Sequence, residues 1–159
     1  MSGLKINKID QIGIVVENCE AAAKMFENLL GIGPFQILDR GAESMLYKGK
    51  PSKIHVKNAL CRLNNIQIEL IEVIEVIEGA CVQKDFLDKN GPGLHHIGIY
   101  IEDLDNTVNQ MEKEGFNLLQ KGTADGFLNW AYLDTQDKLG FVIELLELKK
   151  KKSVKAGKE

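Results

Sequence analysis

The chain is short of proline, cysteine and arginine, with three, three and two respectively in 159 residues. The cysteines, Cys19, Cys61 and Cys81, form neither an even disulfide set nor a zinc-knuckle spacing, which suits a reducing compartment. Two arginines, Arg40 and Arg62, are few for clamping phosphates or several carboxylates. No apolar run approaches the roughly 18–20 residues that cross a bilayer. The opening Met1–Gln11 has no apolar stretch of a secretory leader, so the expectation is a cytoplasmic chain away from membranes. Hydrophobic residues make up 44% and charged residues 27%, which excludes wholesale disorder and provides one sizeable core.

The net charge of −3 conceals an asymmetry. Six of the 20 basic residues lie in 149–159, which leaves 14 against 22 acids over 1–148, a body of −8. An acidic body excludes nucleic acid as the main ligand, because phosphate binding needs clustered lysine and arginine. The basic tail, 149–159, is expected to be a solvated, disordered end beyond a single domain over 1–148.

What is there is a repeat. Gln11-Ile12-Gly13-Ile14-Val15-Val16-Glu17-Asn18 is echoed 85 residues later by His96-Ile97-Gly98-Ile99-Tyr100-Ile101-Glu102-Asp103. Each is a short apolar strand leading into a segment of helical period. The first helix is expected to bury Ala22, Met25, Phe26, Leu29 and Leu30, and the second Leu104, Val108 and Met111. Asn18 and either Asp103 or Asp105 are residue types that cap helix starts. The halves also end alike, on Ile68-Glu69-Leu70-Ile71-Glu72 and Ile143-Glu144-Leu145-Leu146-Glu147. Here the offset is 75, so ten extra residues sit in the first half, placed around Gly41–Lys53 as a polar loop. Residues 80–89 read as a linking helix. The expected fold is therefore α+β: two tandem βαβββ modules, about 6–78 and 93–148, whose sheets pair and curl into a cup, barrel-like in outline.

Strand parity makes the cup chemically interesting. Side chains alternate faces, so Gln11 stands opposite Ile12 and Ile14, and Glu69 opposite Ile68 and Leu70. His96 occupies the position of Gln11 in the second half, and Glu144 that of Glu69. Related by a pseudo-twofold axis, all four converge. Buried polar groups cost roughly 1–3 kcal/mol each without partners, and two facing carboxylates call for a cation. One nitrogen and three oxygens suit one divalent ion: Zn, Ni, Co or Mn. Trp130 and Tyr132, on a strand of the second half, are candidates for lining the cup around a small-molecule substrate. His95 alternates away from His96 and is not expected to join it as a ligand.

The segments 9–16, 67–72, 93–98 and 140–145 together resemble the vicinal oxygen chelate superfamily, which includes glyoxalase I, methylmalonyl-CoA epimerase, extradiol dioxygenases and bleomycin-binding proteins. The likeness is greatest to the epimerase and glyoxalase I branch. It implies metal ligation by Gln11, Glu69, His96 and Glu144, and the repeat-related pairing of the two glutamates gives the expectation of Glu144 as the principal base and Glu69 as the second acid/base. It also implies a homodimer. Epimerases of this branch usually carry His where Gln11 stands, whereas the set Gln, Glu, His, Glu is similar to zinc-type glyoxalase I. At the position where epimerases can carry a further catalytic glutamate stands Asn58, which cannot take a proton at neutral pH. The resemblance thus implies a lyase or isomerase that moves a proton α to a carbonyl. The alternative is a non-catalytic binding protein of the bleomycin-resistance kind.

Overall fold

A computed structural model describes residues 4–149. Eight strands close into one barrel in the order β1-β4-β3-β2-β6-β7-β8-β5. The first half contributes β1 (Gln11–Val15), α1 (Cys19–Leu30), β2 (Gln36–Tyr47), β3 (Lys50–Leu63) and β4 (Ile66–Glu78). A linking helix, α2 (Val82–Asn90), leads to β5 (Gly93–Tyr100), α3 (Leu104–Lys113), β6 (Leu118–Ala124), β7 (Leu128–Leu133), the short α4 (Gln136–Leu139) and β8 (Val142–Leu148). The two βαβββ halves are thus present. The basic tail expected from the sequence lies, beyond Lys149, outside the described residues.

Both helices start where their caps stand. Asn18 accepts from the Ala21 N–H at 2.8 Å, and Asp103, rather than Asp105, accepts from the Asn106 N–H at 3.0 Å. α3 buries Leu104, Val108 and Met111 against Ala131, Leu133, Ile143 and Leu145, the outer face of the second half. α1 covers the corresponding outer face of the first half, but with a different stripe from the one the periodicity suggests. Cys19 and Ala23 pack on Ala59, Ile68 and Leu70, with Ala22 and Phe26 beside them. Met25, Leu29 and Leu30 are exposed. The reason is size: small residues let the helix lie close to β3 and β4, so only a narrow strip of it is covered.

The ten extra residues of the first half are not a loop. They lengthen a hairpin, whose arms β2 and β3 run 12 and 14 residues against 7 and 6 for β6 and β7. The arms meet at Lys48–Gly49, both with positive φ (48° and 74°), the left-handed pair that a two-residue hairpin turn needs. The polar residues there alternate with Met45, Ile54 and Val56, which face the barrel interior. The longer hairpin also carries Met45–Tyr47 across to pair with Gly122–Gln120 of β6, and this closes the expected cup into a barrel. β4 continues past its pairing with β1, so that residues 72–78 pair only with β3.

Candidate functional site

The seam between the halves is where β1 and β5 pair antiparallel, with Gly13 opposite His96 and Gln11 opposite Gly98. β4 lies parallel on the far side of β1, with Glu69 level with Gly13; β8 lies parallel on the far side of β5, with Glu144 level with Gly98. Two rungs, with Ile12–Ile97 between them, thus read Glu69–Gly13–His96 and Gln11–Gly98–Glu144. In each, a glycine separates two polar side chains on the inner face. A Cβ at Gly13 would stand 1.9 Å from His96 Cε1, and one at Gly98 2.8 Å from Gln11 Oε1. Each half's polar side chain therefore lies across the other half's glycine, and only glycine leaves that space.

The structure brings together all four residues that the repeat singled out. His96 Nε2 lies 3.2 Å from Gln11 Oε1, 3.1 Å from Glu144 Oε2 and 3.5 Å from Glu69 Oε2. The Glu144 oxygen is buried and, although near, is not aligned for a hydrogen bond with any donor. Atoms bound 2.0–2.2 Å from one ion stand about 3.0–3.5 Å apart at tetrahedral and octahedral angles. The Glu69, His96 and Glu144 ligand atoms lie within 4.8 Å of one another. Crowded acceptors with an unpartnered buried oxygen, arranged around one imidazole nitrogen, fit a divalent cation.

Neighbours fix the rotamers. Gln11 Nε2 donates to Gln67 Oε1 at 2.9 Å, which turns the Gln11 carbonyl oxygen toward His96. Asn58 Nδ2 donates to Glu69 Oε1 at 2.9 Å, which leaves Oε2 for the site. The residue at the epimerase base position is thus a holder of Glu69. Burial works against a charge on His96, but the Glu144 and Glu69 carboxylates outweigh it and hold the imidazolium up to about 9. Burial raises Glu144 above the usual carboxylate range, opposed by His96. Next door, burial and the neighbouring His96 push His95 down to about 3. A bulge of β5 sets aside the alternation expected of His95: its ring lies against that of His96, the two Nδ1 atoms 3.0 Å apart, while His96 Nε2 faces the three oxygens.

Gln11, Asn58, Glu69 and Glu144 line a cavity of about 90 Å³ together with Trp130 and Tyr132, the latter paired with Glu144 on the neighbouring strand. The Tyr132 ring stands 5.1 Å from that of His96 and 5.4 Å from that of Trp130. Gly122, on the adjacent strand, makes room for Trp130, since a Cβ there would meet the indole at 2.5 Å. Four polar residues without a site role in the sequence reading also line the cavity: Arg40, Glu43, Gln83 and Gln120. Glu43, on β2, has its carboxyl pushed up by burial and pulled back by Arg40. Arg40 pairs at the rim with Asp125 of the β6–β7 turn. The signal for Glu43 was available: it shares strand parity with Met45. Arg40 was hidden by the irregular register between Asp39 and Ala42. Of the lysines in this region, Lys48, Lys50, Lys53 and Lys57, none lines the cavity, and Lys57 is tied to Glu20 at 2.9 Å.

Barrel, repeat and site define a class. The chain belongs to the glyoxalase/bleomycin resistance protein/dioxygenase superfamily, whose family model matches residues 10–133. It is 25% identical over 146 residues to the Bacillus subtilis (strain 168) protein YqjC, covering 91% of this chain and 94% of that one. Among solved structures it resembles a Mycobacterium tuberculosis methylmalonyl-CoA epimerase, with 22% identity, a TM-score of 0.63 and coverage of 94% of this chain and 93% of that one. It also resembles a Streptomyces coelicolor methylmalonyl-CoA epimerase in complex with 2-nitronate-propionyl-CoA, with 21% identity, a TM-score of 0.66 and coverage of 91% and 99%. At these identities the structural likeness speaks for the fold. No helix among the described residues is long and apolar enough to cross a membrane.

Proposed function

We propose that this protein is a metal-dependent isomerase or lyase that moves a proton α to a carbonyl, in the manner of a 2-acyl-thioester epimerase or a glyoxalase. The observation that carries the reading is the convergence of Gln11, Glu69 and Glu144 oxygens on His96 Nε2 at the wall of one small cavity. Gln11, Glu69, His96 and Glu144 would hold a divalent ion, Zn, Ni, Co or Mn, which would supply a Lewis acid beside the substrate carbonyl.

Glu144 is the principal base in this reading. Burial raises its proton affinity, which suits a carboxylate that must take a proton from carbon. The C–H bond breaks, an O–H bond forms on Glu144, and the electron pair moves to the carbonyl oxygen. In the epimerase reading Glu69, held by Asn58 and standing on the other half's strand, starts protonated and gives its proton to the second face of the carbon as the electron pair returns from oxygen; Glu144 is left protonated and Glu69 ionised, and exchange with water resets both. In a glyoxalase-type reaction Glu144 instead delivers the abstracted proton to the adjacent carbon, while the hemithioacetal hydroxyl proton passes to the neighbouring oxygen. Trp130 and Tyr132 cover the apolar side of the substrate and keep water from the carbanion. The homodimer belongs to the same proposal, with the one-sided stretch 72–78 of β4 and its exposed Ile74 and Ile77 as the seam.

The test is exchange of the α-proton of methylmalonyl thioesters and of hemithioacetals in deuterated water by the zinc-, cobalt-, nickel- or manganese-loaded protein. Glu144→Gln is expected to keep the metal and to slow exchange by at least a hundredfold. Unchanged turnover in that variant removes Glu144 from the role. A loaded wild-type protein that binds these compounds without exchanging the proton points to sequestration instead.

A further inference from the structure

We propose that His95 is a positioning residue for the metal centre, accepting the Nδ1–H of His96 and so holding the tautomer in which His96 Nε2 is free to ligate. The inference rests on the reading of His96 as a ligand. It adds a residue of the supporting layer, outside the four that meet at the site.

The argument is one of counting protons. A neutral imidazole carries one N–H, so a ring that ligates through Nε2 must keep its hydrogen on Nδ1. His96 has no exposed surface, and a buried N–H without an acceptor is costly. The atom facing His96 Nδ1 is His95 Nδ1, at 3.0 Å. The rings stand at 90° with centroids 5.3 Å apart, so the lone pair in the plane of one is aimed at the edge of the other. His95 must then keep its own hydrogen on Nε2, and that atom is buried with no partner among the described residues. The Phe86 and Tyr132 rings enclose it edge-on, at centroid distances of 5.1 and 5.6 Å.

This last point separates a positioning role from simple core filling. A pocket walled by Phe86 and Tyr132 would take phenylalanine or leucine at position 95 without stranding a polar atom. Histidine there leaves one nitrogen unpartnered, and what it gains is the bond at the other. Partners of this kind typically change metal affinity 10–100-fold when lost. β5 bulges at His95, which has no partner on β1 between His96 opposite Gly13 and Leu94 opposite Ile14, so strict alternation fails there and both rings stand beside Tyr132, in reach of each other.

The test compares His95→Phe, which keeps a ring and loses the acceptor, with His95→Asn, which places Oδ1 where Nδ1 stands. Zn²⁺ affinity is measured by competition with a chromophoric chelator, and the metal-free melting temperature of each variant is measured alongside. His95→Phe is expected to weaken Zn²⁺ binding 10–100-fold, with His95→Asn restoring it to within about threefold. His95→Phe binding Zn²⁺ as tightly as wild type, or His95→Asn binding as weakly as His95→Phe, overturns the assignment. A wild-type protein that binds no Zn²⁺ overturns the metal reading as well, and so the two failures differ. The wild-type chain supplies a readout that no variant's folding can spoil: imidazole ¹⁵N spectra of the zinc-loaded protein. They are expected to show His96 protonated on Nδ1 and His95 on Nε2. The opposite tautomer of His95 excludes the proposal.

Discussion

Gly13 and Gly98 set the distance at which the two halves can meet. An alanine at 13 would drive its methyl group into the His96 ring, and a packed barrel has no slack to receive it. Gly13→Ala is expected to cost about 1–3 kcal/mol in urea unfolding and to abolish metal retention. His96 carries a second prediction. In the metal-free protein its proton is held up to about 9, and metal and proton compete for Nε2. Metal uptake at pH 7 is therefore expected to release close to one proton per chain, read by calorimetry in two buffers of different ionisation enthalpy. Affinity should climb with pH until about 9 and then level. The sign for folding is the reverse. A histidine raised above its ordinary 6.5 stabilises the metal-free fold fully below that value, and the contribution is lost as pH rises to about 9. At this scale the four polar donors were legible in the sequence, because the repeat marks them by position. The glycines stood in the same motif, but their purpose is a contact between strands 85 residues apart, which local pattern does not express. Glu43 and Asn58 could be placed on their strands, by parity with Met45 and by the family resemblance, but what they touch depends on the register of a hairpin whose length the sequence left ambiguous.

Among the elements, the β2–β3 hairpin departs most from expectation, and the reason is physical. Its arms extend beyond the core, so hydrophobic alternation fades into polar residues and the segment 41–53 looks like a loop. What keeps it extended is pairing along both arms and the left-handed turn at Lys48–Gly49. Helices were easier to place than to orient. Asn18 and Asp103 announce the starts of α1 and α3, while the face of α1 that is covered depends on how near small residues allow it to approach. The closing contact between β2 and β6 is three residues long and depends on Gly122, which leaves space for Trp130. Gly122→Val is expected to separate these strands. Amide exchange at Met45, Tyr47 and Lys121 should accelerate by more than tenfold while that of β1 and β8 is unchanged. Equal protection in the variant would show that closure does not depend on that contact.

For the molecule as a whole, the proposed ion site would join the halves. Gln11 and Glu69 come from one, His96 and Glu144 from the other, so a bound ion resists their separation. At a free metal concentration 100 times the dissociation constant, the fold gains about 2.7 kcal/mol. In a chain of this size each kcal/mol moves the melting temperature by about 2–4 °C, so chelation is expected to lower it by about 5–11 °C in a thermal scan. An unchanged melting temperature in a protein shown to hold metal would mean that the unfolded chain binds the ion as tightly as the folded one.

The exchange of side chains over glycines at the β1–β5 seam has one more consequence. Under the proposed reading neither half owns a complete centre: each would supply two donors, and each leaves the space for one polar side chain of its counterpart. Divided in the segment between β4 and α2, the protein would become two fragments, each blind to the ion. Mixing them would restore metal affinity only as the seam reformed. The ion would then report on the meeting of two pieces of chain, and its capture would serve as a clock for their reassembly.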